Sequence, residues 1–552
     1  MKTYIVALNE GVDYDAFWNE IENISPTDGF VPARRVDIVN NRDAFKRLCE
    51  YALTDAEAEQ LRNDPRIAAV EQPVRDLPFV KIVRDATTQD KNFNKTTLST
   101  GAEVNWGLIR HSSPSNVYGT GTASPLKYTY GLDGSGVDVV INDGGIQADH
   151  PEFTGRVNQT GVNWNALVPN YSDNSYTDTS GHGTHVASTV AGKTYGWAKG
   201  ANILSLKYDD TNISGDVLDC FEALLVWHNA KTNNRPTVMN MSWGFGASYD
   251  ALIKNGFIPS GGNYRGSTWT GSTLEDFTFK GILLSPALGP FITIPYESVS
   301  YNIALAEVID AGVIAVRAAG NNAHKIDVAN GPDYNNYFTT TPPSLQWHYH
   351  RGASPTDPRA IVVGNLDSAV TSNGKDQRSF PALSSAGPRV DIWAAGTNIL
   401  AACSNTNRMN AQPYQHGNTA FKQVNISGTS MAAPQVTGII ALRLQQQPLA
   451  NIKASTNCET VKSWLIENSL KDQIQDFGSP TAYTEPKSLL GGPNRIAYIN
   501  PVYLTYSYIK DNTNTWRQAR AVYAKHTDGT WKQAKSGWKK NDAGAWIKIY
   551  ES

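Results

Sequence analysis

Cysteine is scarce and scattered. The four in 552 residues, Cys49, Cys220, Cys403 and Cys458, are too far apart for a disulfide framework or a cysteine metal motif. That pattern is compatible with a reducing compartment. An excess of one charge is lacking too. Forty-eight Lys and Arg against 51 Asp and Glu leave a formal charge of −3, so no global field steers partners and no nucleic-acid partner is expected. No apolar run reaches the length of a membrane span. The opening stretch, Met1 to Glu10, has too short an apolar run for an ordinary signal peptide, so a cytoplasmic location is one expectation. What the chain does have is 40% hydrophobic and 10% aromatic residues, enough for a large core, and a length that suggests three or four domains.

One stretch organises the rest. Asn425-Ile426-Ser427-Gly428-Thr429-Ser430-Met431-Ala432-Ala433-Pro434 runs from small residues into a helix-periodic apolar set, Val436, Ile439, Ile440 and Leu442. It reads as a tight turn feeding a buried helix with Ser430 at its start. Unpaired N–H groups and the positive end of the helix dipole suit an oxygen on which negative charge develops. An ordinary Ser/Thr helix cap would look the same in this segment alone. A nucleophilic serine also needs a base and an acid to orient it. Ser180-Gly181-His182-Gly183-Thr184-His185 offers the first. Val137-Asp138-Val139-Val140-Ile141-Asn142-Asp143-Gly144-Gly145 offers the second, with Asp143 at the C-terminal edge of a buried strand, where open α/β sheets bind ligands.

Taken together, these blocks resemble the subtilisin-like serine proteases (subtilases), whose triad runs Asp, His, Ser along the chain. The blocks are Asp143-Gly144-Gly145-Ile146 with His150-Pro151-Glu152-Phe153, then His182-Gly183-Thr184-His185, Ala318-Ala319-Gly320-Asn321-Asn322, and Gly428-Thr429-Ser430-Met431-Ala432-Ala433-Pro434. Gly181 to Leu206, with Thr194-Tyr195-Gly196, is most similar to the proteinase K branch. The resemblance implies Ser430 as nucleophile, His182 as general base and then acid, Asp143 as its orienting carboxylate, and Asn321 as an oxyanion donor. It implies a substrate strand at Ser242-Trp243-Gly244 and a facing edge at Ser214-Gly215, with a polypeptide held extended between them. No cofactor is required, and no metal is assigned to the triad. Structural calcium is allowed, although the loop after Ala191 is too short for the family's best-known calcium loop. Two positions depart from the pattern. Gly144 stands where a hydroxyl residue usually follows the Asp, and Ser188 stands where Gly is common. His150 and His185 read as structural, since one base suffices.

The expected architecture is α/β: a subtilisin-like parallel sheet with helices on both faces, residues 104–470, from the alternation of strands and helices. Residues 1–80 read as a ferredoxin-like α+β domain, with a strand from Ala33 to Val39, similar to the subtilase propeptide, an intramolecular inhibitor and chaperone; in 104–470 the helices read include His182–Ala191, Ile303–Ala311 and Ser430–Gln445. Residues 81–103 and 471–504 read as linkers. Insertions at 245–300 and 323–358 follow the substrate strand and the Asn321 block. The first is expected to wall the cleft. The second carries His324, His348 and His350, without metal-ligand spacing. At the C-terminus, 505–552, aromatic and Lys residues recur every fifteen (Tyr508, Tyr523, Trp538; Trp516, Trp531, Trp546; Lys510, Lys525, Lys540). Nine Lys and Arg stand against four Asp and Glu from 508 onward. This predicts a small all-β module. Its repeats resemble those of bacteriophage tail and other virion proteins, which implies attachment to other virion proteins and a virion location. The two functions that remain are an active serine endopeptidase and a structural or adaptor virion protein on a latent or inactive protease fold.

Overall fold

The apolar strand runs between 138 and 496 assemble into one eight-stranded sheet in a computed structural model of the chain. The structure describes residues 1–24, 29–77, 80–83, 105–120, 128, 130–158, 161–168, 171, 175–208, 217–273, 293–341, 345–379, 384–414, 420–478 and 487–500. It also describes the backbone of six short strands between 507 and 551. The sheet order is Leu470–Lys471, Arg495–Ile496, Ile392–Ala395, Ile361–Leu366, Ile314–Ala318, Thr237–Met241, Asp138–Asp143, Asn202–Lys207. All neighbours are parallel except the first pair. The strands Asp138–Asp143 and Thr237–Met241 are neighbours, yet the chain visits Asn202–Lys207 between them on the far side. That reversal opens a crevice at their C-terminal ends, and Asp143 and Ser242 stand there.

Helices His182–Ala191 and Thr429–Gln446 pack together, the latter along the middle strands. Helices Val217–Ala230 and Val299–Asp310 form a second pair. Within 471–504, read as a linker, the described residues 471–478 and 487–500 instead contribute to the sheet domain. Arg495–Ile496 pairs with Ile392–Ala395, and Leu489, Leu490 and Ile499 are buried. No helix among the described residues is long and apolar enough to cross a membrane.

At the N-terminus, strand, helix, strand, strand, helix and strand give a four-stranded antiparallel sheet in the order Asp37–Asn40, Leu48–Leu53, Lys2–Leu8, Ile67–Glu71. Side chains alternate across a strand, and here the two faces do different work. Tyr4, Val6 and Leu8 pack on Phe17, Ile21 and Leu61 of this domain's own helices. Ile5 and Ala7, with Phe45 and Leu48, merge into the core of the large sheet domain. The expected strand from Ala33 to Val39 starts only at Asp37. Arg34 is drawn aside to Glu57, the capping-box residue of helix Asp55–Arg62.

The N-terminal sheet also completes a helix of its neighbour. Ile303–Ala311 was expected to be helical, but the helix begins at Val299. Its first N–H groups have no partner inside the helix. Glu71 supplies one, accepting from Val299 N at 3.0 Å, Ser300 N at 2.9 Å and both hydroxyls, Ser298 and Ser300, at 2.7 Å. Glu71→Gln keeps the shape and removes the charge at the helix N-terminus. It is expected to weaken domain docking by about 1–2 kcal/mol, read as faster proteolytic release of residues 1–80. An unchanged release rate would count against this role.

The two insertions meet. Strand Ile258–Tyr264 from the first pairs with Tyr337–Thr341 from the second, within one four-stranded antiparallel sheet. The first insertion then returns as Thr293–Pro295 alongside Gly246–Ser248. At the C-terminus the repeats form three two-stranded antiparallel hairpins, Ser507–Lys510 with Trp516–Ala519, Tyr523–Lys525 with Trp531–Gln533, and Ser536–Lys540 with Trp546–Glu551.

Candidate active site

Asp143 closes its strand fully buried. Both of its carboxylate oxygens lie 3.0 Å from His182 Nδ1, which donates to them. Gly144 N donates to the same carboxylate at 2.7 Å. The main chain therefore supplies a hydrogen bond at the position where Gly144 lacks a hydroxyl.

His182 is the first residue of its helix and 2% exposed. Asp178 anchors that helix start, accepting from Ser180 N, Gly181 N and Thr184 N at 2.9 Å and from the Thr184 hydroxyl at 2.7 Å. Sequence reading missed Asp178, because it stands four residues before the helix and not at the position directly before it, Gly181, where a cap is sought. The helix comes very close to the Asp143 turn. A Cβ at Gly183 would sit 2.1 Å from the Gly145 carbonyl oxygen. With Nδ1 committed to Asp143, Nε2 is buried and has no hydrogen-bond partner among the described residues.

Ser430 is the second residue of helix Thr429–Gln446 and 1% exposed. Its hydroxyl donates to the Ser242 carbonyl at 2.9 Å. The structure thus joins Asp143 to His182, while the serine proton is parked on the substrate strand. The helix explains why Ser430 is held there. Pro434 has no N–H for the Ser430 carbonyl four residues back. The Ser242 hydroxyl fills the gap, donating to that carbonyl at 2.9 Å. Asn240 Nδ2 in turn donates to the Ser242 hydroxyl at 2.9 Å and Asn240 Oδ1 accepts from Thr437 at 2.9 Å.

Asn321 Oδ1 accepts from Thr429 N at 2.8 Å, which sets the amide's NH₂ on the opposite side. Trp243 is buried and its indole donates to the Asn142 carbonyl at 2.9 Å. Gly244 opens the strand Gly244–Ser248, and a strand from outside the sheet domain lies against it. Lys81, Ile82 and Val83 pair antiparallel with Gly246, Phe245 and Gly244. Ser214 and Gly215, the expected facing edge, lie outside the described residues.

His185, His150 and His350 are tied into the fold. His185 Nε2 bonds the Ile399 carbonyl at 3.0 Å, and burial pushes its imidazole down to about 3, so it is neutral. His150 Nε2 donates to the Lys422 carbonyl at 2.9 Å. The Ser188 hydroxyl accepts from Ala402 N at 3.1 Å. His350 donates to the Lys325 carbonyl at 2.8 Å. Among the described residues no three or more His, Cys, Asp or Glu side chains converge as metal ligands would. The four cysteines are buried free thiols.

A buried Asp–His pair and a helix-start serine, carried by two packed helices and the switch point of a parallel sheet, are the parts of a serine hydrolase of the α/β class. Comparison with known proteins agrees on which one. The subtilase family model, Peptidase_S8, matches residues 134–484, and the chain belongs to that family of subtilisin-like serine proteases. Subtilisin-like protease 3 of Arthroderma otae is 27% identical over 505 residues, covering 89% of this chain and 91% of the relative. The extracellular serine proteinase of Thermus sp. strain Rt41A is 28% identical over 398 residues, covering 72% and 66%. Among solved structures, a cold-adapted subtilisin-like serine proteinase matches 71% of this chain and 97% of its own at 23% identity, with a TM-score of 0.43.

Proposed function

We propose that the chain hydrolyses internal peptide bonds through Asp143, His182 and Ser430. The observation that carries this is the His182 ring, held by Asp143 through Nδ1 with Nε2 buried and unpartnered. A turn of the Ser430 side chain away from the Ser242 carbonyl would bring its proton to Nε2; such contacts tighten only with substrate bound. Oγ then attacks the scissile carbonyl carbon and His182 takes its proton. Negative charge collects on the former carbonyl oxygen, stabilised by Asn321 and the helix start. The C–N bond breaks as His182 returns the proton to the leaving amine. Water repeats the sequence on the acyl-enzyme and frees Ser430. Asn321→Ala is expected to lower kcat about 10²–10³-fold with little change in KM, a size known from a subtilisin.

Residues 1–80 act in this reading as a ferredoxin-like propeptide. The Lys81–Val83 strand supports it, because it lies along the expected substrate strand as an added strand would. The arrangement therefore favours a latent enzyme over an inert adaptor. Kinship with the proteinase K branch rests on the stretch Gly181 to Leu206. Structural calcium rests on family resemblance. Attachment through the C-terminal module rests on its fifteen-residue repeat, and a virion role has no support beyond that period.

A fluorophosphonate probe tests the reading without knowledge of the substrate. Labelling of the purified chain that disappears in Ser430→Ala is expected. No labelling of the chain, before or after proteolytic release of the N-terminal segment, would overturn it.

A further inference from the structure

A pocket opens beside Ser430, bounded by Ser242, Gly244 and Ala318 to Gly320, and Arg317 lines it. A residue here is unusual in kind. Arg317 is the last residue but one of a buried strand of otherwise apolar side chains, Ile314, Ala315, Val316 and Ala318, and is itself 3% exposed. Nη1 donates to the Pro355 carbonyl at 3.1 Å, and Nε has no partner. Among the described residues no carboxylate comes within 4.0 Å of its nitrogens. Burial, and then Arg389, push the guanidinium down to about 9, which leaves it charged at neutral pH. A buried charge without a counter-ion is costly. Among the described residues nothing supplies that partner, and the pocket is the open side from which one can arrive.

Resting on the protease reading, we propose that this pocket takes the side chain of the residue whose carbonyl Ser430 attacks, and that Arg317 selects an aspartate or glutamate there. A carboxylate entering the pocket would give Arg317 its absent counter-charge through the guanidinium's paired donors. A neutral amide of the same shape would leave the cation uncompensated. The lining also includes Trp243, Phe245, Pro295 and Ile326 beside the small Gly244, Gly320 and Ala353, and no Asp or Glu is among the lining residues to compete with an entering carboxylate.

The chain's own sequence carries a matching residue. The strand register opposes Val83 to Gly244. Two residues before Gly244 stands Ser242, whose carbonyl holds the Ser430 hydroxyl, and two residues after Val83 the sequence has Asp85. The same preference therefore makes Asp85–Ala86 the expected self-cleavage bond, with water adding across it.

The test is a peptide series on the full-length protein, varying only the residue before the scissile bond among Asp, Glu, Asn, Gln, Leu and Lys. The expected result is kcat/KM at least about 10²-fold higher for Asp or Glu than for the isosteric Asn or Gln. Arg317→Met is expected to invert the order, so that Leu overtakes Glu; this gain on Leu also shows that the variant is folded. N-terminal sequencing of any self-processed chain is expected to begin at Ala86. Fluorophosphonate labelling of the wild type without acidic preference overturns the inference and leaves the protease standing. So does preference retained in Arg317→Met, or processing after a neutral residue. Absence of both labelling and turnover overturns the protease reading and this one with it.

Discussion

Ser430→Ala is expected to lower kcat by about 10⁶-fold, and His182→Ala by as much, with the double variant no worse than either. The magnitude is one measured in a subtilisin, a member of this family. The non-additivity is the informative part. The hydroxyl is a useful nucleophile only when Nε2 receives its proton, so removing either atom removes the same step. Asp143→Asn acts differently. It keeps a polar group beside Nδ1 but no longer fixes the tautomer or balances the imidazolium, and a loss of about 10⁴-fold is expected. Residual turnover in all three should stay above the uncatalysed rate, because Asn321 and the substrate strand are untouched. Single-turnover kinetics with intact-mass detection of the acyl-enzyme would check all of this. Independent, multiplying losses for Ser430 and His182 would mean that the two do not act as a unit.

The site was legible where a residue's chemistry depends on its neighbours in sequence. Asp143, His182 and Ser430 each sit in a short stretch of small residues at an element boundary, and those boundaries were read to within a residue. Contacts between elements were not legible. Nothing near Glu71 announces that it starts a helix more than 200 residues later, and so the helix at Val299 was placed four residues late. Arg317 reads as an ordinary strand residue until the pocket beside Ser430 is seen. Two stretches misled for the same reason. Residues 471–504 are rich in loop-forming residues yet supply a strand that only the large sheet can pair. The pairing of the two insertions joins segments separated by the whole Asn321 block.

Arg42→Ala is expected to loosen the N-terminal domain from the sheet domain by about 3–5 kcal/mol, or roughly 10²–10⁴-fold in the docking equilibrium. Arg42 is 1% exposed and stands at the centre of three carboxylates. Glu50 comes from its own sheet, and Asp219 and Glu222 from helix Val217–Ala230 across the interface. Arg75 also pairs with Glu50. Without the guanidinium, Asp219 and Glu222 are left facing Glu50 in a dry contact, and the penalty is that of uncompensated buried charge. The sign of the pH dependence follows. Burial already raises the Glu222 carboxyl above its usual 4.5, with Arg42 pulling the other way. A carboxyl raised in the docked state favours docking below its free value, and that contribution is lost as pH rises through the docked value. Removing Arg42 lifts the docked value further. The variant should therefore dock better at pH 5 than at pH 8, with a steeper dependence than the wild type. Arg42→Ala combined with Glu222→Gln should recover part of the loss at pH 8, which separates this effect from simple misfolding. If the docked N-terminal strand is what covers the substrate edge, the readout is the rate of fluorophosphonate labelling, expected to rise about 10²-fold or more in Arg42→Ala. An unchanged rate, with unchanged thermal unfolding, would mean that the apolar contact of Ile5, Ala7, Phe45 and Leu48 holds the domain by itself.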